Sequence, residues 1–160
     1  MTAEPAPESV TPEALTLTLR RCGVLGAGRV SAISATSARS TVLSRIVRLS
    51  LAYEGEAGSA PPTLIFKTGL PERMTGAWSG GRQEVEFYTK VAAATPAGVL
   101  PRCFEADWDA KTNHWRLLLE DLTTPIKSSR PGRCRRLPPT ARRFFAPGRD
   151  SMRTGGTILV

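Results

Sequence analysis

Along much of the chain before Glu120, apolar and polar residues alternate with a period of two, the spacing of a half-buried strand. Arg29 to Thr36 shows this loosely, with small and β-branched residues. Thr41 to Tyr53 shows it more strongly, with Ile46 and Val47 between Arg45 and Arg48. Ser37 to Ser40 reads as the short turn between them. A polar loop, Glu54 to Pro62, leads to a third strand, Thr63 to Thr68. There Lys67 and Ile65 share one face, and Leu64 and Phe66 the other. Two further strands, Arg102 to Trp108 and His114 to Glu120, form a hairpin about a turn at Asp109 to Asn113.

Helical signals interrupt this pattern twice. Thr11 as N-cap, Pro12 at the first helical position, Glu13 in the first turn and Arg20–Arg21 at the end predict a helix over 12–21, closed by Gly23. A Gly-rich segment, Gly76 to Gly81, opens a second helix from Arg82 to about Thr95, stopped by Pro96. Arg82, Glu86 and Lys90 recur at intervals of four and make an outward charge ladder. Glu84, Phe87, Tyr88 and Val91 are left nearer the inner face. The order helix, β, β, β, helix, β, β predicts an α+β domain over 11–124: a five-stranded, mostly antiparallel sheet with one inserted helix. Residues 1–10 read as a flexible lead-in.

Composition adds a division along the chain. The protein has 160 residues, 41% hydrophobic and 22% charged, with a net charge of +8. Residues 1–124 hold 13 Lys and Arg against 13 Asp and Glu, whereas 125–160 hold 9 against the single Asp150. The entire excess lies at the end. That basic tail, rich in Arg, Pro and Gly, reads as disordered and foreign to the body, as an out-of-frame continuation of a GC-rich gene would be. The rival reading is a basic arm that contacts nucleic acid or anionic lipid through Arg130, Arg133, Arg135, Arg136, Arg142 and Arg143. No run is apolar enough to span a membrane, and the start carries no secretory pattern. Three dispersed cysteines without a Cys-x-x-Cys pair argue against a zinc site or disulfide framework, and a reducing cytoplasm is expected. Asp107-Trp-Asp109 is better read as part of a turn than as a metal-binding pair, and His114, the only histidine, as structural or exposed.

The chemistry resides in an ordered set of residues. A lysine, Lys67, sits inside an apolar strand, where an ammonium is costly unless paired. A helix one loop later presents an inward glutamate, Glu84, and the last strand ends in Glu120-Asp121-Leu122. These segments resemble the amino-terminal lobe of the phosphotransferase family that contains aminoglycoside phosphotransferases and choline kinases, and most nearly its ecdysteroid-kinase-like branch with a protein-kinase-like fold. Carrying the resemblance are Ile65-Phe-Lys67-Thr-Gly-Leu-Pro-Glu72, Gly81-Arg-Gln-Glu84-Val-Glu-Phe-Tyr88, Leu100-Pro-Arg-Cys-Phe104 and Leu117-Leu-Leu-Glu120-Asp-Leu122. The resemblance as a whole runs from about Leu17 to Thr124.

The resemblance implies an ATP- and Mg²⁺-dependent phosphotransferase acting on an alcohol group. Lys67 would contact the α- and β-phosphates with Glu84 as its helix partner, and the backbone of Glu120, Asp121 and Leu122 would hold adenine. The phosphate loop is expected at the turn containing Ser40 and Thr41, just before the strong second strand. Gly26-Ala-Gly28 lacks the third glycine of the kinase loop and lies far upstream of Lys67. The resemblance also implies a second lobe with a His-x-Asp base and a metal-binding Asp, neither of which follows Asp121. The expectation is therefore a truncated, nucleotide-binding lobe, inactive alone, with no catalytic residues or metal ligands of its own. The acceptor substrate is not legible. The alternative is a non-enzymatic module that binds nucleotide, or a partner through the lobe face a second lobe would cover.

Overall fold

A computed structural model describes residue 7, residues 9–70 and residues 80–123. Most of the expected lead-in, most of the Gly-rich segment and the basic tail lie outside the described residues. The element order is α1 (Pro12–Arg21), β1 (Arg29–Ser40), β2 (Ser44–Glu54), β3 (Thr63–Gly69), α2 (Gly80–Glu86), β4 (Cys103–Trp108) and β5 (Trp115–Glu120). The strands form one sheet in the order β1-β2-β3-β5-β4, and every neighbouring pair is antiparallel. The α+β class and five-stranded sheet are thus as expected. No described helix is long and apolar enough to cross a membrane.

The helix α1 forms where its caps direct it. The Ala14 amide donates to Thr11 Oγ1 at 3.2 Å, and Gly23, at φ 68°, takes the left-handed conformation that ends the helix. Leu15 and Leu19 bury against one face of the sheet with Val47, Leu49, Leu64, Phe66 and Leu118. This is the main core. The period of two in β3 sends Leu64 and Phe66 into it and turns Ile65 to the opposite face. There Val85 of α2 packs with Trp115, Leu117 and Leu119 of β5, forming a second, smaller core. Lys67 lies on this second face.

Two local expectations are corrected. The turn between β1 and β2 is not at 37–40, where Ser37 to Ser40 continue β1 and pair with Arg48 to Arg45. It falls at 41–43, because Thr41 Oγ1 accepts from the amides of Leu43 and Ser44 and the Thr41 amide donates to the Ser44 carbonyl. The inserted helix is also not uniform to Thr95. After Glu86 it widens into a π-helical turn, Phe87–Val91, then tightens into a 3₁₀ turn, Ala92–Ala94. Thr89 Oγ1 donates back to the carbonyls of Val85 and Glu86, competing with the regular ladder where it opens. This change of pitch turns Phe87 and Val91 outward, while Tyr88 packs on the second core.

Candidate functional site

Where Lys67 emerges from the sheet, strand and helix meet around a cavity of about 240 Å³. Its floor is Ile46, Lys67 and Gly69, and its sides come from Thr41, Leu43 and Ser44 of the β1–β2 turn and from Gly80 to Arg82 and Glu84 of α2. Trp108, Asn113 and Trp115 of the β4–β5 hairpin close the remaining side. Four separate stretches of chain therefore converge on one lysine.

The lysine is paired. Lys67 Nζ donates to both oxygens of Glu84, at 2.7 and 2.8 Å, and lies 5.9 Å from the centre of the Trp115 ring. Their side chains are 23% and 30% exposed, so the pair is neither sealed in the core nor free in solvent. Two of the three ammonium donors go to the carboxylate, which leaves one for a further acceptor. A strand lysine against a helix glutamate is the pairing that positions the phosphate-binding lysine in protein kinases.

The second cation of the cavity is held differently. Arg82 Nε donates to Glu86 at 3.0 Å, and its guanidinium lies 4.9 Å from the Trp108 ring centre. Lys90 joins Glu86 at 3.4 Å, which completes the outward ladder. The carboxyl of Glu86 is held below its ordinary range by the hydrogen bonds from Arg82 and Lys90. Glu84 is thereby the acid committed to Lys67, and Glu86 the acid of the outer face.

The expected nucleotide residues separate into two groups. Lys67, Glu84 and Thr41 line the cavity. Ser40 does not: it ends β1 opposite Arg45, in the row of the sheet that faces away from Lys67. Glu120, Asp121 and Leu122 lie at the far end of β5, where Glu120 pairs with Leu64 and Leu122 is exposed. Glu120 is taken up locally: its amide donates to the Arg102 carbonyl and its carboxylate accepts from the Arg102 amide.

Asp121 has a structural role that its position in the motif did not disclose. Its side chain is 1% exposed and accepts from Arg48 Nε at 2.6 Å and from the Thr123 amide and hydroxyl. Burial alone would raise its pKa. The hydrogen bonds from Thr123, Thr63 and Arg48 outweigh that and hold it at about 2. Arg48 reaches it from β2, in register with Ile65 and across β3 from the end of β5.

Sequence reasoning also missed the aromatic wall. Trp115 carried a usable signal: counting back by two from Leu119 and Leu117 places it on the face of Lys67. Trp108 and Asn113 had none, since their meeting depends on the hairpin turn. There Asn113 adopts φ 58° and accepts from Trp108 Nε1 at 3.2 Å. Gly26 and Gly28 are remote from the cavity. They pack against the backbone and side chain of Glu56 and the backbone of Glu54, where close chain approach, not phosphate, requires glycine at Gly28.

Among the described residues, no group of three or more His, Cys, Asp or Glu side chains gathers to hold a metal ion. Comparison of the chain with family models, with curated proteins and with solved structures gives no match in any of the three.

Proposed function

We propose that this domain is the nucleotide-binding lobe of an ATP-dependent small-molecule phosphotransferase of the aminoglycoside phosphotransferase and choline kinase type. One observation carries the reading: the bidentate Lys67–Glu84 pair at the floor of a cavity built by the β1–β2 turn, α2 and the β4–β5 hairpin. A partly exposed ammonium fixed by a carboxylate on a strand-and-helix frame suits a phosphate chain. It is oriented before the ligand arrives, so less ordering entropy is lost on binding.

The cavity suits part of a nucleotide. At about 240 Å³ it falls just below the roughly 300–1,000 Å³ of sites that enclose whole small ligands. Lys67 would face the phosphates, with the β1–β2 turn at Thr41 to Ser44 beside it. The nucleoside would extend along Ile65 toward Glu120 to Leu122. Bound there, ATP would supply a γ-phosphoryl group for transfer to an alcohol. Among the described residues, no cluster of carboxylates fits a Mg²⁺ site.

Equilibrium titration of the full chain with ATP tests the reading. Measurable affinity is expected, with a loss of about tenfold or more in Lys67→Ala, the removal of one charge-assisted contact. Equal affinity in the two proteins, or none in the parent chain, would refute it.

A further inference from the structure

The row of the sheet that carries Lys67 continues to an arginine on the edge strand. Arg39 of β1 is in register with Ile46 of β2, and Ile46 with Lys67 of β3. Directly opposed residues of antiparallel strands project to the same face, and Ile46 itself lines the cavity with Lys67. Adjacent strands lie about 4.8 Å apart, so Arg39 and Lys67 are about 10 Å apart at the backbone, both side chains on the cavity face. Half-buried Ile46 lies between them.

Arg39 also differs from the other described arginines in how its charge is used. Arg29, Arg48, Arg82 and Arg116 each pair with a carboxylate. Arg20 and Arg102 donate to backbone carbonyls, Arg21 donates to a hydroxyl, and Arg45 has an interaction of its own. Arg39 alone among the described arginines has no hydrogen-bond or ion-pair partner. Glu84, the acid of the cavity, has both oxygens on Lys67. An unpaired cation on an edge strand often serves only to block edge-to-edge pairing. Here it also shares a face and a row with the phosphate-binding candidate.

We propose that Arg39 is a second polyphosphate-binding residue, which takes the phosphate beyond those held at Lys67 and makes the site select for the number of phosphates. The inference rests on the nucleotide reading of Lys67. A guanidinium presents a planar pair of donors that matches two phosphate oxygens, which a lysine does not. A nucleoside monophosphate places one phosphate in the cavity and cannot engage both cations. A di- or triphosphate can.

The test compares binding of inorganic tripolyphosphate, ATP and AMP to the full chain and to Arg39→Gln, Arg39→Lys and Lys67→Ala, at one ionic strength. Intrinsic fluorescence can report it, since Trp108 and Trp115 line the cavity. Arg39→Gln is expected to weaken tripolyphosphate and ATP about tenfold, to leave AMP within about twofold, and to be partly rescued by lysine. Its melting temperature should match that of the parent chain, because the side chain is exposed and unpaired. If ATP binds Arg39→Gln as it binds the parent while Lys67→Ala loses it, the inference fails and the nucleotide reading stands. Equal weakening of AMP and ATP in Arg39→Gln also overturns it. If the parent chain binds neither ATP nor tripolyphosphate, both are overturned.

Discussion

Lys67 and Asp121 are both half of an ion pair, yet their surroundings give the two pairs different work. At Lys67 solvent reaches both partners, so the attraction is screened and the net contribution to folding is within about 1 kcal/mol. Removing the lysine should leave the melting temperature nearly unchanged. Asp121 is sealed, and its partners donate specifically to the ionised form. Its folded pKa of about 2 lies below the ordinary value of 3.8. The unfolded chain therefore takes up the proton first as pH falls. The stability that Asp121 provides is complete above about pH 5 and is lost as pH drops through 4 toward 2. The difference corresponds to about 2 kcal/mol. Asp121→Asn should lower stability at pH 7 by about that amount and flatten the dependence of stability on pH between 5 and 2. Urea unfolding at several pH values checks it; an Asn variant with the parent's acid slope would remove Asp121 from this role.

Among the elements, the junction of α2 with β5 decides whether Glu84 meets Lys67. A Cβ at Gly81 would land inside the Trp115 indole, so α2 can approach β5 this closely only with glycine there. Gly81→Ala should force the helix outward or tilt the indole, at a cost of about 1–3 kcal/mol. It should also red-shift the Trp115 emission and weaken ATP binding, although Gly81 carries no charge. An unchanged emission spectrum with parent-like affinity would show that the close approach is dispensable. Elements like this also mark how far the sequence could be read. The period of two identified the faces of β3, because that feature is local; the pairing of Lys67 with Glu84, 17 residues on, rested on the family resemblance and on Glu84 lying off the outward charge ladder. The β1–β2 turn was misplaced by about three residues: Ser, Ala and Thr suit strand and turn alike, and the Thr41 hydroxyl bonds decide between them. The widened turn at Phe87–Val91 was hidden for a similar reason, since Thr89 acts through a bond to its own backbone.

Across the described residues, the sheet separates the main core from the cavity. One face, under α1, holds most of the buried apolar side chains. The other pairs a smaller core with the cavity, and cations from three strands lie on that face, Arg39 and Lys67 in one row through Ile46 and Arg48 in the row of Ile65. The long-range partnerships on it, Arg48 with Asp121 and Trp115 with Lys67, arise from strand order, which no single segment encodes. What could be inferred in advance was therefore the pair at the centre of the site and not its walls. In the proposed function, the Lys67–Glu84 pair receives a phosphate chain. A crystal structure of the full chain with a non-hydrolysable ATP analogue tests it most directly. A phosphate oxygen is expected about 3 Å from Lys67 Nζ with the Glu84 contact retained. Nucleotide bound elsewhere, with that lysine facing only Glu84 and solvent, would contradict it.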